Sequence, residues 1–87
     1  MADRFRLRVY TPERQLADAE VSEVTAPAVL GEIGVLPDHA ALVTALEAGV
    51  VSYKADGALV RLRVGAGFAE VRDNVVTVLA ESGEPLA

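Results

Sequence analysis

Val50-Val51-Ser52-Tyr53-Lys54-Ala55-Asp56-Gly57-Ala58-Leu59-Val60-Arg61-Leu62-Arg63-Val64 is the stretch whose reading decides the fold. Two runs rich in β-branched residues flank Asp56-Gly57, a pair that readily adopts the left-handed backbone of a two-residue hairpin turn. In the second run Val60, Leu62 and Val64 alternate with Arg61 and Arg63, so one face is apolar and the other charged. The same period of two marks Arg4-Phe5-Arg6-Leu7-Arg8-Val9-Tyr10, the clearest strand in the chain. Thr11-Pro12 ends it, because proline offers no donor to a ladder. Glu20 to Ala26 reads as a further strand closed by Pro27, and its broken spacing from Val21 to Val24 predicts a bulge. Residues 13–20 have room for a short strand around Gln15–Asp18. Gly67 to Arg72 is another strand, Asp73-Asn74 a turn, and Val75 to Ala80 a run apolar on both faces, as expected of a central, covered strand.

Two stretches are less regular. Residues 30–39 are punctuated by Gly31, Gly34 and Pro37 and predict turns. Over residues 38–49 two readings compete. Asp38 suits a helix cap, Ala40, Val43 and Leu46 share a helical face, and Gly49 suits a helix end. The rival is a strand over Ala41–Leu46. Turn signals recur about every 8–12 residues, the mark of a sandwich or barrel. The expectation is one domain over residues 3–82 with a tail at 83–87.

Composition narrows the function. The chain has 87 residues, 52% of them hydrophobic, and a formal net charge of −5. Such a length holds one small domain. No run approaches the roughly 18 apolar residues of a membrane helix, so no transmembrane segment is expected. Arginines interrupt the start, where a signal peptide needs an apolar core. With zero Cys, disulfides, thiolate metal sites and cysteine nucleophiles are excluded together. The acidic balance argues against nucleic acid as a partner, which asks for a basic footprint.

The inventory for chemistry is thin. His39 is the lone histidine, beside Asp38 in a turn, with no serine in a nucleophile-elbow pattern. One histidine and scattered carboxylates lack the spacing of a metal site. Gly31-Glu32-Ile33-Gly34 and Gly65-Ala66-Gly67-Phe68 match no phosphate-binding fingerprint and read as tight turns. No catalytic residue, cofactor or metal is therefore expected. The stripes Arg4, Arg6, Arg8 and Arg61, Arg63 read as a solvated outer face with cross-strand partners, or as a surface for an acidic partner. Lys54 near the Asp56-Gly57 turn raises a lipoyl- or biotinyl-carrier alternative. Its surroundings, Ser52-Tyr53-Lys54-Ala55, lack the carrier signature, and it is not at the turn centre. A generic interaction module is the remaining alternative.

Several patterns coincide in order: Thr11-Pro12; Glu20-Val21-Ser22-Glu23-Val24 with Pro27; Gly31-Glu32-Ile33-Gly34-Val35-Leu36-Pro37-Asp38-His39-Ala40; Leu42-Val43-Thr44-Ala45-Leu46 with Gly49; Gly65-Ala66-Gly67-Phe68; and Asn74-Val75-Val76-Thr77-Val78-Leu79-Ala80. Together they resemble the N-terminal domain of the epsilon subunit of F-type ATP synthase, over roughly residues 3–82. The Gly31–Ala40 stretch is the specific part. The resemblance implies an all-β fold, a small two-sheet β-sandwich of about ten short strands, with residues 40–48 extended rather than helical. It implies a non-catalytic rotor subunit of the central stalk, at the cytoplasmic face of the energy-coupling membrane. The implied partners are the gamma subunit and the polar loops of the c-ring. The loop matching Gly31–His39 would lie toward the ring, with Glu32, Ile33, Gly34 and His39 as interface residues, Glu32 as the polar contact and His39 shaping the same end.

Three departures stand out. Ala41 replaces the family's usual proline. Ala26-Pro27-Ala28-Val29-Leu30 is more apolar than the usual loop before the Gly-Glu pair, and if exposed it calls for a covering partner. The family continues into a C-terminal two-helix hairpin that inhibits ATP hydrolysis and in some members binds ATP. This chain ends at Ala87, so neither property is expected of it.

Overall fold

A computed structural model describes residues 3–86. They form ten strands: β1 (Phe5–Tyr10), β2 (Gln15–Val21), β3 (Glu23–Ala28), β4 (Gly31–Val35), β5 (Leu42–Leu46), β6 (Gly49–Ala55), β7 (Ala58–Val64), β8 (Gly67–Arg72), β9 (Val75–Ala80) and β10 (Gly83–Pro85). The strands follow one another in a single ladder, β10-β7-β6-β3-β5-β8-β9-β1-β2, with β4 also paired to β3. That ladder folds over at the β3–β5 junction into two five-stranded layers, β10-β7-β6-β3-β4 and β5-β8-β9-β1-β2. All pairs are antiparallel except β1 with β9. The all-β, two-layer expectation is met, and the helical reading of residues 38–49 gives way to strand β5.

Local chemistry accounts for the connections. Asp56-Gly57 takes φ of 52° and 78°, and Asp73-Asn74 takes φ of 52° and 59°. Positive φ at both central residues is the two-residue turn whose twist matches that of the flanking strands. At the β1–β2 turn the Thr11 hydroxyl accepts from the amides of Glu13 and Arg14 at 3.3 and 3.2 Å.

Four details differ from the sequence reading. The predicted bulge between Val21 and Val24 is a change of layer at Ser22. Val21 pairs with Phe5 in one layer and Glu23 with Lys54 in the other, so both valines point into the core. The punctuated stretch at 30–39 contains a regular edge strand, β4. Residues 83–85 of the expected tail form β10 on the edge of β7, and the Leu86 amide bonds the Arg61 carbonyl at 2.9 Å; Ala87 lies outside the described residues. β9 is central as expected, but only one of its faces is covered: Val76, Val78 and Ala80 are buried, and Leu79 is exposed.

The core is one cluster fed by the inward face of β1 (Phe5, Leu7, Val9), β3 (Val24, Ala26, Ala28), β7 (Leu62, Val64) and β9 (Val76, Val78) among others. Its only aromatic members among the described residues are Phe5 and Tyr53. Where the chain enters β8 from the crossing between layers, Gly67 faces Ala80 of β9 in the same layer. A Cβ on Gly67 would lie 1.9 Å from the Leu79 carbonyl oxygen and 2.8 Å from the Ala80 Cα. Both are backbone atoms and cannot swing aside. Gly67→Ala is therefore expected to cost about 3 kcal/mol, the upper part of the overpacking range. Gly34, where an added Cβ would meet nothing within 4 Å, is the control. Gly34→Ala should stay within about 1 kcal/mol of the parent. Urea unfolding with an unchanged m-value checks both.

Candidate functional site

Chemistry of the catalytic kind has no assembled site among the described residues. The Asp38 carboxylate accepts from the Asn74 side-chain amide at 2.9 Å, and the Asp38 amide donates to the Asn74 side-chain oxygen at 2.7 Å. His39 Nδ1 lies 2.7 Å from its neighbour's carbonyl, that of Ala40. Asp38 is thus engaged in a clamp that ties the 36–41 loop to the β8–β9 turn, and it does not orient His39 as a base. An open cleft of about 580 Å³ lies at one end of the sandwich, lined by Glu13, Arg63, Glu81, Ser82 and Glu84 among others. No group of three or more potential metal ligands converges among the described residues.

The expected interface residues fall into two places. Glu32 is exposed on β4 opposite Pro27, close to the β3–β4 tip. Ile33 turns inward and packs on the edge of the core. Gly34 is exposed beside it. His39 is exposed at the far end of β4, past Val35. Three strand steps from Glu32 to Val35 alone span roughly 10 Å. The structure therefore groups Glu32, Ile33 and Gly34 and places His39 toward the opposite end of the sandwich, because Gly31–Val35 is strand rather than compact loop.

The arginine stripes differ from one another. Arg8 stands opposite Asp18 on β2, and Arg6 reaches diagonally to the same carboxylate with Nε at 2.7 Å. Arg8 Nε is 3.7 Å away. Lys54 pairs with Glu23 at 3.0 Å within the strand, two residues before the hairpin turn, where a carrier lysine would need the tip. Arg61 and Arg63 have no ion pair among the described residues.

An apolar surface escaped the sequence reading. On the outer face of the β5-β8-β9-β1-β2 layer, Val43 is 68% exposed, Phe68 59% and Leu79 55%. Phe68 sits between Ala45 and Leu79 in register, and Val43, Phe68 and Leu79 line a cavity of about 220 Å³ together with Glu70 and Thr77. The signal was present: Phe68 is out of phase with the inward pair Ala69 and Val71, and Leu79 with Val78 and Ala80. A second apolar point is the β3–β4 tip, where Leu30 is 98% exposed and Val29 about half exposed. No helix of the described residues is long and apolar enough to cross a membrane.

The described residues thus present a two-layer β-sandwich with an exposed apolar patch on one outer face. Comparison with known proteins shows its family. Residues 4–86 match the family described as the ATP synthase Delta/Epsilon chain, beta-sandwich domain. The ATP synthase epsilon chain of Carboxydothermus hydrogenoformans is 46% identical over 84 residues, 97% of this chain and 63% of that relative. That of Desulfitobacterium hafniense is 44% identical over 85 residues, 98% of this chain and 64% of the relative. A chain of the Euglena gracilis mitochondrial ATP synthase, solved as its OSCP/F1/c-ring assembly, superposes with a TM-score of 0.90 at 25% identity, covering 98% of this chain and 55% of that one. The chain belongs to the ATP synthase delta/epsilon β-sandwich family. It spans under two thirds of the length of these curated relatives.

The Arg6–Asp18 pair gives this surface a pH signature. The hydrogen bond from Arg6, helped by the charges of Arg6 and Arg8, holds the Asp18 carboxyl below its ordinary value. The ionised form thus favours the fold. Its contribution is complete above the unfolded-state value, near 3.9, and is lost as pH falls through the lower folded value. Asp18→Asn should be less stable than the parent at neutral pH. The gap should close in acid and shrink with added salt, as read by thermal unfolding across pH 2–7 (roughly the window of the carboxylates).

Proposed function

We propose that this chain is the β-sandwich part of a non-catalytic central-stalk subunit of a proton-translocating F-type ATP synthase. It docks on the gamma subunit and on the polar loops of the c-ring and helps couple rotation to ATP synthesis performed elsewhere. It is peripheral, on the cytoplasmic face of the coupling membrane. The observation that carries the reading is the exposed Val43–Phe68–Leu79 surface on a member of this family. An apolar patch kept on the outer face of a small domain asks for a partner, because water disfavours it and the fold does not need it.

Adhesion is the mechanism such a body supports. Two layers locked by backbone contacts at their corners have no lid or hinge, so force applied at one surface reaches the other with little deformation. Binding energy in such interfaces concentrates in a few buried aromatic or aliphatic anchors inside a polar rim. Phe68, with Leu79 and Val43 beside it, supplies the anchor toward gamma. Glu70 and the Arg8–Asp18 pair lie on the same outer face and supply the rim. His39 adjoins Arg72 in a small open cavity at the end of β8, so it borders this gamma-facing layer. Glu32, with Ile33 and Gly34 behind it, faces the ring loops from the other end of β4.

Calorimetric titration with purified gamma subunit tests the reading. Saturable one-to-one binding is expected. Phe68→Glu should weaken it at least tenfold without loss of stability, since the side chain is exposed and a central anchor is typically worth more than about 1.4 kcal/mol. Glu32→Lys should leave gamma binding intact and weaken attachment to the ring. Absence of gamma binding by a verifiably folded parent at tens of micromolar (roughly −6 kcal/mol or weaker) would overturn the assignment.

A further inference from the structure

The β3–β4 tip breaks the rules that turns normally obey. Ala28 pairs with Gly31, so Val29 and Leu30 are the whole of the connection. Turn positions favour Gly, Asn, Asp and Ser, each for a backbone reason. Neither Val nor Leu supplies one. Gly31, at φ 128°, already gives the backbone freedom that closes the tip. Leu30 is 98% exposed and contributes nothing to the core. The tip is nonetheless held firmly. The Val29 amide bonds the Ala45 carbonyl at 3.0 Å, and the Pro27 carbonyl accepts from the Glu47 amide at 2.8 Å. A bulky apolar side chain is therefore presented to solvent on a braced support.

The charges around it select the partner. Glu32 stands opposite Pro27, next to the tip on one side, and the Glu47 backbone is bonded to Pro27 on the other. Both side chains are exposed. The open cleft at this end adds Glu13, Glu81 and Glu84, against Arg63 in the cleft and Arg14 in the adjoining turn. A loop that enters an anionic lipid surface needs basic neighbours to offset the surface potential. This end has an excess of carboxylates, which that surface repels. The complement of an exposed Leu bracketed by carboxylates is an apolar socket bordered by Lys or Arg on a protein.

We propose that Leu30, braced by Val29 and flanked by Glu32 and Glu47, is an anchor that seats in such a basic-rimmed apolar socket. Resting on the proposed function, that socket lies on the c-ring loops, and Leu30 determines the attachment there more than Glu32 does. Preorganisation favours this role: the backbone bonds of Val29 and Glu47 mean that little freedom is lost on docking.

The test uses the chain itself, immobilised, against three separate probes: the detergent-purified c-ring, purified gamma subunit, and vesicles of phosphatidylcholine with phosphatidylglycerol. Leu30→Ser should lower ring affinity about tenfold or more, Leu30→Met should retain it, and gamma binding should be the same for all three chains. Ring binding by the parent should weaken with rising salt, as charge complementarity requires. Since the side chain is solvent-exposed, thermal stability should not change. Unchanged ring affinity of Leu30→Ser overturns the proposal, as does a parent that binds gamma but not the ring. Vesicle binding that Leu30→Ser abolishes overturns it in favour of a lipid partner. A parent that binds neither gamma nor ring removes the stalk reading itself, an outcome distinct from the other three.

Discussion

The structure depends on backbone meeting backbone at the corner where the chain passes between the two layers. Just past that corner, Gly67 lies against the Leu79 carbonyl of β9, its neighbour in the same layer, with no room for a Cβ. One corner step away, a Cβ on Gly65 would meet the Ser82 hydroxyl at 2.6 Å and the Glu81 side chain at 2.8 Å. The amide of Gly65 bonds the Ser82 carbonyl, and the amide of Glu81 bonds the Ala66 carbonyl, at 2.9 and 3.0 Å. These crossings carry β7 into β8 and β9 into β10 side by side. On the β3 side, the Pro27 ring packs where Gly49 leaves a place for it, since a Cβ on Gly49 would lie 3.0 Å from Pro27 Cβ. Pro27 has no amide to leave unpaired at the point where β3 exchanges β6 for β5 as its neighbour. Glycine at the crossings and proline at the junction are thus one solution to one problem: bending a continuous ladder without orphaning buried polar groups.

That solution frees the outer surfaces. The core is built mainly from inward Val, Ala and Leu, with Phe5 and Tyr53, so the outer faces are left open to other uses. Phe68 points out although its strand neighbours Ala69 and Val71 point in. A phenylalanine turned inward there would have added far more buried area than Ala69 does. Placed outward, it adds little to the isolated chain and gains only when a partner covers it. The same holds for Leu79 and Val43, its neighbours across the ladder. Folding is therefore carried by one face of these strands and the proposed docking by the other, so a small core coexists with an apolar exterior.

Much of the architecture was legible from residue order. Alternation in Phe5–Tyr10 and Ala58–Val64, and the Asp-Gly and Asp-Asn turns, identify strands through local physics alone. β5 was not legible in that way. Leu42–Leu46 has helix-compatible spacing, and only pairing with β8 across the whole length of the strand makes it extended, a long-range contact that no local window contains. The resemblance of the surrounding motifs supplied what periodicity lacked. β4 and β10 were missed for a related reason: both are short edge strands, carrying Gly or Pro, whose ladders form on one side only. The site was less legible than the fold. Val75–Ala80 reads as apolar on both faces, and burial and partner contact leave the same mark on a sequence. Only the structure shows which face meets the core.

The separation of Glu32 from His39 follows from the same limit. Adjacent in motif, they read as one end of the molecule, yet a strand converts proximity in sequence into distance in space at about 3.3 Å per residue. Because β4 is a strand, its two ends address different directions, one toward the β3–β4 tip and the other toward the Asp38–Asn74 clamp. A body with distinct contacts at its ends and its face can touch two partners at once. Rigid coupling between those contacts then needs no moving part in this domain, since the Asp38–Asn74 clamp and the glycine corners hold both ends to one core. Under the proposed function, motion transmitted through this domain is motion of the whole body, and the coupling is as strong as the weaker of the two proposed attachments.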